Sequence, residues 1–360
     1  MQWGDRPVIL AGNGLRAAGP EVASRLLALG VPVLSSWQAA DLFDNWDWRY
    51  FGRPGIYGQR AANKIMVEAD HVIAVGNRLS IWNVGYEGIK QRLTMIDVDE
   101  YECKNRYPQA ELIVQDAGEW VKGQSLHENE AWLTKCLTWV TQWLEPCHAH
   151  GKYLNSYQCI YDIGKAMAHD AVVVTDMGAA ICGAYQVMRF RPPQICLTSG
   201  GLGEMGCGLP YAVGAAFATG RPVVALLTDG GMMLNLQELQ TIAHHNLPVK
   251  MFIFDNRGYS MIRHTQKNLG YPYRGTDKAS GVSMPDFADV GMSFGFPAWN
   301  VSMEEQWREA LLTVLRHDGP IVCVVHIDAE QRFWPKLEPI MENGVIRSPK
   351  FDELSPLCLT

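Results

Sequence analysis

The sequence predicts an α/β protein of two doubly wound domains with mostly parallel sheets. Three observations carry this. Short, continuous apolar runs rich in β-branched residues recur along both halves; segments at helical spacing alternate with them; and turns rich in Gly or Asp follow the runs. Runs of this kind read as strands buried on both faces, and their alternation with helices reads as parallel βαβ units. At 360 residues, 48% hydrophobic and 19% charged, the chain is long enough for two cores. A net charge of −7 argues against a general nucleic-acid-binding role.

The first domain is expected over residues 1–145. RPVILAGNG is a strand running into a glycine turn, and residues 20–30 form a helix. VPVLSS is the second strand, residues 61–69 a helix, HVIAVGNR the third strand and LTMIDVD the fourth. Residues 118–152 read as a helical and polar connector containing Pro146 and Gly151. Within it, Cys147-His148-Ala149-His150 has no partner cluster and does not make a zinc site. The nine Cys include no Cys-x-x-Cys pair and read as buried thiols of a cytoplasmic protein. No signal peptide is evident, and no apolar run approaches the length of a membrane span.

The second domain is expected over residues 146–335, with a proline-containing tail at 336–360. It holds the strands AVVVTD and QICLTS, a Gly-rich segment at 200–208, a βαβ unit and the strand IVCVVHI. In the βαβ unit, PVVALLT (222–228) is a buried strand ended by Asp229-Gly230-Gly231. Residues 233–245 follow at helical spacing and Pro248 stops them; VKMFIF (249–254) is the next strand, leaving through Asp255-Asn256-Arg257-Gly258. Parallel neighbours would place Asp229 and Asn256 at the carboxyl ends of adjacent strands, where open α/β sheets bind ligands. A carboxylate and a carboxamide oxygen are hard ligands suited to Mg²⁺ or Ca²⁺, and Mg²⁺ completes its shell with phosphates and water. Gly230 and Gly231 let backbone N–H groups approach a phosphate. Either half alone reads as a turn or a helix cap. Together, across one βαβ unit, they point to a metal-bridged diphosphate.

The pair resembles the diphosphate-binding motif of thiamine-diphosphate enzymes, Gly-Asp-Gly followed by Asn-Asn, with Thr228 for the first Gly and Asp255 for the first Asn. The resemblance covers nearly the whole chain. GRPGIYGQRAANKIMVEADHVIAVGNRL with MIDVDEYECKN is similar to the central domain of the acetolactate synthase-like branch. SGGLGEMGCGLPYAVGAA and TDGGMMLNLQELQTIAHHNLPVK are similar to its diphosphate-binding domain, and IDAEQRFWPKL suits the same branch.

That resemblance implies roles for named residues. Asp229, Asn256 and the carbonyl of Gly258 would hold Mg²⁺. Gly178, Gly203, Gly230, Gly231 and Tyr259 would contact the cofactor, and Met205 would prop it in a folded shape. Met261 and Ile262 would face the reacting centre. Ile262 stands where aldehyde-releasing decarboxylases often place a Glu. The Trp with which housekeeping synthases read a second keto acid would fall near Thr265, and its absence argues against a housekeeping role in branched-chain amino-acid synthesis. Ala179-Ala180-Ile181 replaces the family's Gln-His-Gln, which leaves backbone N–H groups for that loop. Arg263, His264 and Arg274 are either partners for a carboxylate or solvated charges. A structural FAD is left open by Gly12, Gly14 and Arg78, although Leu79-Ser80-Ile81-Trp82-Asn83 departs from the usual Phe-Asp-Asp-Arg run.

The function implied is the large subunit of a split carboligase. It would decarboxylate a 2-keto acid, with pyruvate the expected donor, and pass the acyl carbanion to a second carbonyl. The alternatives are a decarboxylase or oxidase subunit and a non-catalytic scaffold or regulatory paralogue. The central-domain pattern begins almost at Met1, so the family's pyrimidine-binding domain, with the Glu that activates the cofactor, is expected on a separate subunit of a heterotetramer; the alternative is that these residues are part of a longer chain.

Overall fold

The computed structural model describes residues 2–127, 129–143, 153–342 and 345–356. Cys147-His148-Ala149-His150, with Pro146 and Gly151, lie outside the described residues. The chain forms two compact units, Met1–Glu145 with Phe190–Pro192 and Trp334–Thr360, and Pro146–Arg189 with Pro193–Phe333.

In the first unit, strands β1 (Pro7–Ala11), β2 (Val33–Ser35), β3 (His71–Val75), β4 (Arg92–Asp97) and β5 (Glu111–Val114) form one parallel sheet in the order β2-β1-β3-β4-β5. Alternate residues of β1 and β3 go to opposite faces. Val8, Leu10, Val72 and Ala74 pack with Ile65, Met66 and Trp132, while Ile9, Ala11, Ile73 and Val75 pack with Leu26, Leu27 and Trp120. Both faces are covered, which is why these strands read as unbroken apolar runs. β5 was not foreseen. The expected helices are Pro20–Leu27 and Arg60–Glu68, and the connector carries two more, Ala117–Lys122 and Glu130–Gln142, capped by the side chains of Asp116 and Asn129. The C-terminal segment also belongs here. Lys336–Leu337 pairs antiparallel with Leu354–Ser355, and the buried Asn63 donates from Nδ2 to the Phe351 carbonyl at 2.6 Å.

The second unit has six parallel strands, β6 (Val172–Thr175), β7 (Ile195–Thr198), β8 (Val223–Thr228), β9 (Val249–Asp255), β10 (Ala298–Val301) and β11 (Ile321–His326), ordered β10-β11-β9-β8-β6-β7. β8 and β9 are the expected parallel neighbours, with Thr228 opposite Phe254. β6 has β7 on one side and β8 on the other, so the chain reverses its winding direction there. β10, too, was not foreseen. The helix expected over 233–245 is shortened to Glu238–His245, and a separate short turn of helix at Asp229–Met232 precedes it. In the stretch between them, Asn235 donates from Nδ2 to the Gly206 carbonyl at 2.7 Å and accepts from Gln237 Nε2 on Oδ1. No helix of the described residues is long and apolar enough to cross a membrane.

Candidate active site

The second sheet's switch point lies between β6 and β8, and ligands of doubly wound folds bind outside the strand ends at such a point. A pocket of about 200 Å³ opens there. Its walls come from the turn after β6, the 203–205 loop, the end of β8 and the loop and helix after β9. Every residue expected to hold the metal, contact the cofactor or face the reacting centre lines it except Gly231. Gly231 sits behind the wall, where a Cβ would come within 1.9 Å of Asp176 Oδ2.

Asp229 is almost fully buried. Its Oδ2 accepts the Gly258 N–H at 2.7 Å, its Oδ1 accepts the Gly230 N–H at 2.9 Å, and the Asn256 amide nitrogen lies 3.4 Å from Oδ1. No cationic side chain pairs with it among the described residues. Burial, helped by the Asp255 carboxylate beside it, therefore pushes its carboxyl well above the ordinary carboxylate range. The Asn256 Oδ1 accepts Arg263 Nη2 at 3.2 Å and keeps a second lone pair. Arg263 is itself buried and also donates to the carbonyls of Asn256 and Ala329. The solvated-charge reading thus fails for Arg263, and His264 is buried too; Arg274 is exposed.

Gly258 has φ +143, and a Cβ there would meet the Thr276 carbonyl at 2.0 Å, so only glycine fits. The Tyr259 ring packs against Gly230. Met205 is 37% exposed and Ile262 45% exposed, so both present apolar surface at the mouth of the pocket, with Met261 half-buried beside them. Thr265 is exposed and bonds back to the Met261 carbonyl.

Two supporting residues escaped the sequence reading. Asp176, directly after β6, is buried and accepts the N–H groups of Met177 at 2.7 Å and Gly206 at 2.9 Å, which ties the 203–206 loop to the strand end. Burial raises its carboxyl to about 6. Its position after VVVT, like that of Asp229 after VVALLT, was the available signal. The second is His326, whose Nδ1 meets Asp255 Oδ2 at 2.9 Å. Burial works against the Asp255 charge, but the bonds from His326 and the Arg257 N–H outweigh it and hold that carboxyl below its ordinary value.

Two family models match the chain. Residues 2–123 match the central domain of thiamine pyrophosphate enzymes, and residues 176–325 match their C-terminal TPP binding domain. The chain belongs to the thiamine pyrophosphate enzymes. It is 27% identical to a probable acetolactate synthase large subunit of Methanocaldococcus jannaschii, over 98% of this chain and 64% of that protein. It is 29% identical to the acetolactate synthase isozyme 2 large subunit of Escherichia coli K12, over 94% of this chain and 63% of the relative. It is 26% identical to the chloroplastic acetolactate synthase 1 of Zea mays, over 92% and 55%. The chain therefore spans about three-fifths of the length of the curated relatives it matches.

The residues of this member of the thiamine pyrophosphate enzyme family fit a metal-bridged diphosphate. A buried carboxylate without a cationic side chain faces a pocket beside a buried carboxamide, and both are hard oxygen donors. Among the described residues no cluster of three His, Cys, Asp or Glu offers a metal another set of ligands. The positions considered for a flavin fit less well. A Cβ on Gly12 would strike the Gly76 carbonyl at 2.1 Å, Gly14 packs on Gly76, and Arg78 pairs with Glu102 at 3.0 Å. Contacts within the chain thus account for all three.

Proposed function

We propose that this chain supplies the metal- and diphosphate-binding part of an acetolactate synthase-like carboligase acting in the cytoplasm. Pyruvate is the proposed donor and a second carbonyl compound the acceptor. The observation that carries the reading is Asp229: a buried carboxylate at the switch point, held by two N–H groups and paired with no cationic side chain among the described residues, next to Asn256. Asp229, Asn256 and the Gly258 carbonyl would hold Mg²⁺, with Gly178, Gly203, Gly230 and Tyr259 lining the cofactor's bed. Thiamine diphosphate, when bound, supplies the nucleophilic carbon and the electron sink for decarboxylation. Met205 would support its folded shape. Met261 and Ile262 would give the reacting side an apolar lining, and Ile262, where aldehyde-releasing decarboxylases often have a Glu, offers no proton to the carbanion, which favours ligation over release of an aldehyde. That is the ground for preferring a carboligase to a decarboxylase. A scaffold has no use for the Asp229/Asn256 pair.

The pyrimidine-binding domain, with its activating Glu, is proposed to come from outside these 360 residues, on a separate subunit of a heterotetramer. Glu204, beside Met205, lies on the diphosphate-binding side of the proposed site, where the Ser199 hydroxyl donates to one of its carboxylate oxygens, and is not given that role. No step is assigned to a flavin.

The test is Asp229→Ala. Losing the only carboxylate ligand should abolish Mg²⁺-dependent binding of thiamine diphosphate in calorimetry on the assembled protein. Unchanged affinity would refute the metal assignment. Analysis of products from pyruvate with candidate acceptors then separates a ligated acyloin from a free aldehyde.

A further inference from the structure

The residue before Asn256 is Asp255, where the family motif has Asn. Its Oδ1 accepts the Arg257 N–H at 2.8 Å and closes a tight turn around Asn256. Arg257 holds φ +62 in that turn, a conformation a non-glycine residue keeps only when its surroundings impose it. An Asn could make the same turn. What the carboxylate adds is a second strong acceptor, and that oxygen meets His326 Nδ1 at 2.9 Å. The register of β9 and β11 sets His326 directly opposite Asp255. The other ring nitrogen lies 3.0 Å from Asn300 Oδ1, and Asn300 Nδ2 is 3.5 Å from both oxygens of Asp286. The ring is therefore held at both ends. Past the turn, the Gly258 N–H reaches Asp229 Oδ2.

We infer that Asp255 and His326 act as one unit that positions the metal loop. His326 fixes the Asp255 carboxylate, and Asp255 fixes the turn that carries Asn256 and Gly258. This rests on the reading of Asp229 and Asn256 as metal ligands. Partners of this kind, one bond removed from a metal's ligands, typically alter affinity by about 10–100-fold when lost.

The test is a Mn²⁺ titration of the full chain with thiamine diphosphate present, following free Mn²⁺ by electron paramagnetic resonance. Asp255→Asn and His326→Gln should each raise the half-saturating Mn²⁺ concentration by about tenfold or more. The double variant should be no worse than the weaker-binding single, because each single already breaks the unit. Should His326→Gln fail to fold, His326→Asn is measured in its place. Affinities within about twofold of the parent would overturn the inference, and so would losses that simply add. A purely structural role would lower the metal-free thermal midpoint and leave Mn²⁺ affinity alone, which also overturns it. Asp229→Ala separates the two levels of the argument. If it retains Mn²⁺, the ligand assignment itself fails; if it loses Mn²⁺ while the Asp255 and His326 variants do not, only the positioning role fails.

Discussion

Asp176 shows how a single buried carboxylate links the site to stability. Two N–H groups favour its charge, but burial outweighs them and lifts the carboxyl from 3.8 to about 6. A folded-state value above the unfolded one means that the folded protein prefers the protonated form. The resulting stabilisation is complete below pH 3.8 and is lost as pH rises through about 6. Across that window it amounts to about 3 kcal/mol. Asp176→Asn keeps an oxygen for the Met177 and Gly206 N–H groups and carries no titrating proton. Denaturant unfolding should therefore show the variant gaining on the parent as pH rises from 3.8 to about 6, with a flat difference above. A difference that does not change with pH would show that Asp176 is not the titrating group. The chain sequence places this Asp at a strand end but gives no hint of its burial, which depends on the 203–206 loop folding back over it.

Among the elements, the legible ones were those buried on both faces. β1, β3, β8, β9 and β11 are continuous apolar runs because helices cover both sides of each sheet. The two strands of the parallel sheets that escaped notice, β5 and β10, are both edge strands whose residues are largely half-buried or exposed, so ELIV and AWNV carry no long apolar signal. The βαβ reading brought Asp229 and Asn256 together correctly, since it needed only adjacent parallel strands. It could not supply the Asp255–His326 contact, which requires knowing that β11 lies on the far side of β9. The loop between β9 and the helix Ser260–Asn268 has its own vulnerable point. At Gly258, φ is +143 and the Thr276 carbonyl lies 2.0 Å from where a Cβ would sit, which leaves no room for alanine. Gly258→Ala should force the 276–277 segment or the loop to move, at a cost of about 1–3 kcal/mol. A lower thermal midpoint together with lost Mg²⁺ affinity is the expected outcome. A variant with parental midpoint and affinity would mean that the loop has slack the geometry does not reveal.

At the scale of the whole molecule, the second unit carries apolar surface that a self-sufficient enzyme would be expected to cover. The helix Gly208–Thr219 contains no charged residue, and Tyr211 in its first turn is exposed. Leu202 is 92% exposed beside the pocket, and Met205, Met233 and Leu234 add to the same region of chain around Gly206. Exposed apolar groups in such numbers mark a surface built to meet another. The site has the same incompleteness in chemical terms. In the proposed reading Asp229 holds the metal and the Ser199 hydroxyl donates to Glu204, so among the described residues no carboxyl group of the pocket is left to activate the cofactor's ring. Both gaps are closed at once if a pyrimidine-binding domain seats on this face and brings its Glu. These 360 residues alone, given thiamine diphosphate, Mg²⁺ and pyruvate, should then release CO₂ no faster than a protein-free control. Adding a pyrimidine-binding subunit should restore release, and changing that subunit's Glu to Gln should remove it again, since the neutral amide no longer favours the imino form that takes up the ring proton. Robust release by the chain alone would refute the split-site reading, for it would mean that some group within these residues already activates the cofactor.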